Sequence, residues 1–195
     1  MDDAILVVQT CLVLDPYNGQ VAGWLETLKN IKASQAHFED ARKNLRAMED
    51  QVRTNPAALQ VAMDLAGTYF AMQETNRAVQ VLSGIVTSPY AQRQAVMEIA
   101  TLFNQMQNWP GLEAALDRLV KLDPSNPEAW YDLAALKANL RKPADALATL
   151  KKALELSAAR LKRDPKARNL LEHARKDASF NAVRQTPEFQ KLAPP

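Results

Sequence analysis

Asn126-Pro-Glu-Ala-Trp130-Tyr-Asp-Leu133-Ala134 is followed, past a turn at Arg141-Lys-Pro143, by Ala144-Asp-Ala146-Leu-Ala-Thr-Leu150-Lys-Lys-Ala153-Leu154, and this stretch decides the fold. It reads as two amphipathic helices joined by a tight turn. Trp130, Leu133 and Ala134 fall on one side of the first helix. Ala146, Leu150 and Ala153 recur at spacings of four and three, which stack side chains along one face of the second. The same grammar returns upstream. Two equal steps back along the chain carry Leu133-Ala134 to Ile99-Ala100 and then to Leu65-Ala66, and the same steps carry Leu150 to Leu116 and then to Leu82, with no slip of register.

A fixed period of about 34, with a small residue after an aliphatic one and another aliphatic roughly half a period later, is the signature of the tetratricopeptide repeat (TPR). The chain resembles a TPR protein. Trp130 stands in the Trp place of that pattern, with Val96 and Ala62 in the other units, and Leu133, Ile99 and Leu65 stand in the Leu place. Ala134, Ala100 and Ala66 replace the Gly, while Tyr69 and Phe103 take the Tyr place. Ala78 and Ala146 take the Ala of the second helix, and Leu82, Leu116 and Leu150 stand in for its Phe. Lys137, Leu112 and Ala158 depart from the pattern at an aromatic, an Ala and the closing Pro, which Pro124 supplies one unit earlier. The resemblance implies an all-α, right-handed α-solenoid of antiparallel helix hairpins, with units at 59–92, 93–126 and 127–160. Helices are expected near 59–72, 77–87, 93–107, 110–122, 127–140 and 143–163. Ala66, Ala100 and Ala134 are expected at the close contact within each hairpin. A fold of this kind does not carry a task with it.

The chain has 195 residues, 47% of them apolar, enough for one continuous core, and a single repeat domain over 1–195 is expected. With 24 basic and 22 acidic residues the net charge is +2, which leaves no footprint for nucleic acid or an anionic membrane. Lone Cys11 excludes an intramolecular disulfide and a multi-Cys metal site, and His37 and His173 lie far apart without a second ligand at helical spacing. Glycine is scarce and no Gly-rich phosphate loop is present, so no cofactor is expected.

Ala4 to Leu14 is apolar, but Asp2 and Asp3 stand where a signal peptide wants Lys or Arg, no small-residue cleavage site follows, and the run is too short to span a bilayer. A protein without direct membrane insertion is expected, its compartment open and the cytoplasm favoured. Leu14-Asp15-Pro16 matches Leu122-Asp123-Pro124, so residues 1–18 land on the second helix of a repeat whose first helix is missing. The chain is expected to begin mid-repeat, as a piece of a longer array or as a half-repeat cap. Residues 19–58 allow two readings. In one they form a degenerate repeat, its first helix marked by Trp24, Leu25, Leu28 and Ile31 and its second by Phe38, Ala41, Leu45, Met48 and Val52. In the other Gly19 to Arg53, unbroken by Gly or Pro around the soft Ala33-Ser34-Gln35, is one helix of about 50 Å that exposes a seam. The mixed charges from Glu39 to Arg53 suit a solvated face laced with i,i+4 pairs, with a partner-binding seam as the alternative. The apolar side chains of the N-terminal helix, Ile5, Leu6, Val8, Leu12 and Leu14, predict a homodimer through that helix, with exchange of the Gly19–Arg53 segment as a variant.

Beyond 160, Asp164-Pro165 is expected to stop the long last helix of the repeats, and Lys166 to Lys176 to form a capping helix with Leu170, Leu171 and Ala174 inward. Phe180-Asn-Ala-Val183 and Phe189-Gln-Lys-Leu192 resemble the Phe-rich ends of bacterial TPR proteins and are expected to seal the core, with insertion into a neighbouring molecule as the alternative. Ala193-Pro-Pro195 is expected to fray.

In the TPR family the first helices line a concave groove through positions 2, 5, 9 and 12 of each repeat. Carried onto this register, the resemblance implies a groove of Gln60, Met63, Gly67 and Phe70; Gln94, Met97, Thr101 and Asn104; and Glu128, Tyr131, Ala135 and Ala138. Apart from Asn104, the donors that chaperone-binding TPR domains use to clamp peptide carboxylates are missing, and a desolvated carboxylate needs such donors. What remains suits a helix or an extended segment with apolar anchors, whereas packing between hairpins is the other reading of Met63, Met97 and Phe70. No Ser, Cys or His neighbourhood reads as a catalytic site. Asp64, Glu98 and Asp132, at one repeat position, form a row roughly 10 Å apart, the spacing of solvent-facing charges rather than of a catalytic pair. The expected protein is therefore a non-enzymatic scaffold for a protein or peptide partner, or else a structural, self-associating segment of a longer repeat protein.

Overall fold

A computed structural model describes residues 1–194, Phe38 without its side chain, and the expectations placed on that side chain and on Pro195 lie outside it. Ten α-helices and one 3-10 turn are formed, with no strand among the described residues. Packing divides them into two compact units, Met1–Thr54 and Asn55–Pro195, where the repeat register read alone anticipates one.

The second unit is an all-α, TPR-like stack of antiparallel hairpins. Helices α3 (Leu59–Ala71) and α4 (Thr75–Thr87), α5 (Arg93–Gln105) and α6 (Trp109–Leu122), and α7 (Pro127–Asn139) and α8 (Pro143–Arg163) pair in turn. Each hairpin closes through one conformation that recurs in every unit: Gln73, Gln107 and Arg141 all have left-handed φ, at 62°, 54° and 58°. The N–H groups of Glu74, Asn108 and Lys142 then donate to the carbonyls of Tyr69, Phe103 and Lys137 at 2.8, 2.8 and 2.9 Å. Those of Gln73, Gln107 and Arg141 donate to Phe70, Asn104 and Ala138. This is the Schellman closure, which satisfies the last carbonyls of a helix while reversing the chain. Glycine is the residue it favours, and a longer side chain costs on the order of 1 kcal/mol, so the turn is held by the hairpins rather than by its own residues.

Starts are fixed by side chains. The Asn126 carboxamide oxygen accepts from the N–H groups of Glu128 and Ala129, the Asn108 oxygen accepts from Gly111, and Pro110, Pro127 and Pro143 sit where a missing N–H costs nothing. Inside the hairpins, the repeat positions read as apolar are closed off: Leu65, Leu82, Ile99, Leu133 and Leu150 are each no more than 2% exposed, with Ala66, Ala100 and Ala134 beside them. At Gly111 the approach is closest, because a Cβ there would lie 2.9 Å from the ring of wholly buried Phe103. The equivalent residue one unit earlier is Arg77, whose guanidinium lies 5.6 Å from the centre of the Tyr69 ring. In the third unit the aromatic is replaced by Lys137, which reaches Asp117 at 3.5 Å.

Helix α8 runs to Arg163 as expected. Helix α9, however, spans only Leu170–Lys176 instead of beginning at Lys166, because Asn169 is its cap and accepts from the N–H groups of Leu171 and Glu172. A 3-10 turn (Ala178–Phe180) and α10 (Pro187–Leu192) follow. Phe180, Val183 and Phe189 are buried in one cluster with Leu150, Ala153, Leu170 and Ala174. Ala193 belongs to that cluster and donates its N–H to Phe189, so the expected fraying does not reach it.

The first unit is a hairpin of unequal arms, α1 (Asp2–Leu14) and α2 (Gly19–Thr54). Helix α1 packs antiparallel on the first part of α2, and Lys32 bonds Asp2 across them. That bond holds the Asp2 carboxyl below its ordinary range. Residues 19–54 are one helix, about 54 Å long at 1.5 Å per residue, and the break that a degenerate repeat needs at Ala33-Ser34-Gln35 does not occur. Ala and Gln are good helix formers, and the apolar spacing runs through the supposed break in phase, from Leu28 and Ile31 to Leu45, Met48 and Val52. Asp50 pairs with Arg53 at 2.8 Å on the charged face. No helix among the described residues is long and apolar enough to cross a membrane.

Candidate binding groove

Helices α5 and α7 border a cavity of about 720 Å³ whose floor comes from α6. Helix α6 packs on both α5 and α7, and the repeat period gives these two first helices corresponding open sides that face the same space. Gln94, Met97, Thr101 and Asn104 of α5 and Glu128 and Ala135 of α7 line it. The floor is Leu112, Leu116 and Leu119, with Trp109 at the rim. These α6 side chains are absent from the groove implied by the sequence, because that register counts only first helices. Their signal is the α6 stripe itself, whose inner edge is left uncovered between two first helices.

Gln60, Met63, Gly67 and Phe70 of α3 do not line this cavity. Gln60 and Gly67 are exposed, and Met63 and Phe70 are half-buried. Ala138 is buried, and so is Tyr131, only 3% exposed. Tyr131 packs edge-to-face on Phe180 at 5.5 Å, lies 5.3 Å from the His173 ring, and donates its hydroxyl proton to Asp177 Oδ2 at 2.8 Å. It is covered by the C-terminal segment and offers no surface to a ligand. Burial, and then the bond to Asp177, push the Tyr131 hydroxyl up. Burial works against the Asp177 carboxylate, yet the donors from Ser179 and Tyr131 outweigh it and hold Asp177 below its ordinary value.

The charges of the groove follow from one substitution in the repeat. Gln60 donates to Asp64 at 3.0 Å, and one repeat further on Gln94 donates to Glu98 at 3.0 Å. In the third unit the Gln is Glu128, so Asp132 loses its amide donor and gains a like charge one turn away. Glu128 is drawn off by Arg160 of α8, which holds it in a two-pronged pair at 2.7 and 2.8 Å. Desolvation would raise Glu128, but this pairing leaves it below its ordinary range. At the other rim Arg93 meets Asp123 at 3.3 Å. Asp132 has no hydrogen bond or ion pair with any described residue, and desolvation by the cavity walls pushes its carboxyl up, against the pull of Arg168. The row read as solvent-facing is therefore exposed, but its members Glu98 and Asp132 face the groove.

No family model matches the chain, and no curated protein does. Among solved structures it is similar to "Crystal structure of MamA", at 17% identity and a TM-score of 0.41, over 83% of this chain and 91% of that one. It is also similar to "MamA MSR-1 C2", at 16% identity and a TM-score of 0.39, over 82% and 88% of the two chains. A further structure, "Crystal structure of MamA protein", matches at 16% identity and a TM-score of 0.38, over 68% and 73%. Likeness at that level identifies neither a partner nor a task.

Proposed function

We propose that this chain is a non-enzymatic protein-interaction scaffold that takes a peptide or helix of a partner protein in the groove between α5 and α7. The observation that carries this reading is the cavity of about 720 Å³ with a leucine floor, a methionine and a tryptophan at its edges, and polar groups around it. That composition suits capture of a side chain, with Met97 adapting to the ligand's shape. A net charge of +2 over 195 residues favours no nucleic-acid partner. The test is selection from a displayed library of random dodecapeptides, on the full chain and on Thr101→Trp. Thr101 is exposed on α5, so a Trp fills the groove without entering the core. Peptides enriched on the full chain and lost on Thr101→Trp are expected. Enriched peptides that bind both proteins equally would refute the reading.

A second reading is favoured by the first unit, none of whose described side chains is buried. Leu6, Val7, Val13, Leu14 and Trp24 are each more than 60% exposed, and Tyr17 is 96% exposed. A second copy presenting the same surface gives an isologous two-fold contact, the common closed solution for such a face. Each of these side chains contributes about 1.5–3 kcal/mol if fully buried. Light scattering on the full chain at micromolar concentration is expected to give the dimer mass, and Leu6→Glu with Val13→Glu the monomer. A full chain that runs as a clean monomer rules the dimer out.

A further inference from the structure

The polar rim of the groove is unevenly compensated. Of the four carboxylates that line it, Asp123 has Arg93 and Glu128 has Arg160, while Glu98 has only the Gln94 amide and Asp132 has no hydrogen bond or ion pair among the described residues, Arg168 acting on it only at longer range. These two carboxylates, neither of them in an ion pair, flank the leucine floor from α5 and α7. We propose that the groove selects a basic, amphipathic segment of a partner protein, with an apolar side chain on Leu112, Leu116 and Leu119 and a Lys or Arg between Glu98 and Asp132. This rests on the groove reading above and names the chemistry of its ligand. A guanidinium or ammonium there replaces the water lost by both carboxylates with charge-assisted hydrogen bonds, whereas an acidic segment meets two like charges beside a low-dielectric floor. The rest of the chain carries a slight positive balance, so this selectivity is local to the groove.

In the free protein the cavity walls raise the Asp132 carboxyl above its ordinary value, against the pull of Arg168, although its side chain remains exposed. For a carboxyl raised by folding, the contribution to stability is full below the unfolded pKa and lost as pH rises through the folded one. At neutral pH the charge therefore does not add to stability, and Asp132→Asn is expected to melt no lower than the parent.

The test uses the peptides selected above that are lost on Thr101→Trp. They are expected to be enriched in Lys and Arg over the starting library. The tightest of them, labelled with fluorescein, should lose about tenfold or more in affinity by anisotropy when its cations become Gln, and as much on Glu98→Gln/Asp132→Asn. Groove-dependent peptides without enrichment in cations overturn this inference and leave the groove reading standing. Cation-rich, groove-dependent peptides that bind Glu98→Gln/Asp132→Asn as tightly as the parent overturn it too. A selection with no peptide sensitive to Thr101→Trp overturns both readings.

Discussion

Replacing Phe180 by Ala is expected to destabilise the second unit by about 3–5 kcal/mol, the range for removal of a wholly buried Phe whose site collapses only in part. Phe180 has no exposed surface and joins two layers: its ring meets Tyr131 of α7 edge-to-face and lies 6.0 Å from Phe189 of α10. Removing it opens a hole between the last hairpin and the segment that covers it. Trp130 packs against the same cluster and reports its melting directly, whereas Trp24 and Trp109 are 61% and 40% exposed. Urea unfolding followed by that fluorescence should show a large fall in midpoint, and no change within error would mean that the tail does not seal the core. Tyr131→Phe keeps the rings stacked and removes only the hydrogen bond to Asp177, so its loss should be smaller, about 1.5 kcal/mol. Asp177 is held below its ordinary value, so its contribution is full above the unfolded carboxylate range and disappears as pH falls through the folded value. Acid should therefore narrow the gap between Tyr131→Phe and the parent.

This cluster also marks where reading the sequence stops. The register places Tyr131 at a groove position, which holds for an array in which nothing returns over the last first helix. The chain does return, and the pairing of Tyr131 with Asp177 joins positions 46 apart, a separation at which no period speaks. By contrast the hairpins are legible, because an aliphatic-small pair in every repeat records the same packing three times. The three left-handed turns are placed by that period but not announced by their residues, which are Gln, Gln and Arg where glycine is the usual sign. In α2 the signal for a continuous helix is present in the unbroken apolar spacing, and no Gly or Pro interrupts it from Trp24 to Thr54. The imbalance of charge in the groove is legible as well: the change from Gln to Glu at 128 stands in the repeat alignment. Its consequence for Asp132 depends on Arg160, which arrives from α8.

Ala134→Leu is expected to destabilise the second unit by about 1–3 kcal/mol or more through overpacking, and by more than Ala100→Leu at the equivalent position. Both alanines occupy the small-residue place of the repeat and are buried within their hairpins. Ala134 has no exposed surface and lies in one buried cluster with Ala146, Leu150 and Ala153, so three added carbons have no space to enter and must move α7 away from α8. Ala100 is 7% exposed and borders the cavity above α6, so a Leu there can lean toward the open groove and shed part of its strain. The relief has its own signature. Ala100→Leu should narrow the groove and weaken the Thr101-sensitive peptides, while Ala134→Leu should alter stability alone. Thermal melts of the two variants, read by Trp130 fluorescence beside peptide anisotropy at a temperature where both remain folded, separate these effects. Equal melts for Ala134→Leu and the parent would show that the small position lies elsewhere in the repeat, and with it the register that places every residue of the groove.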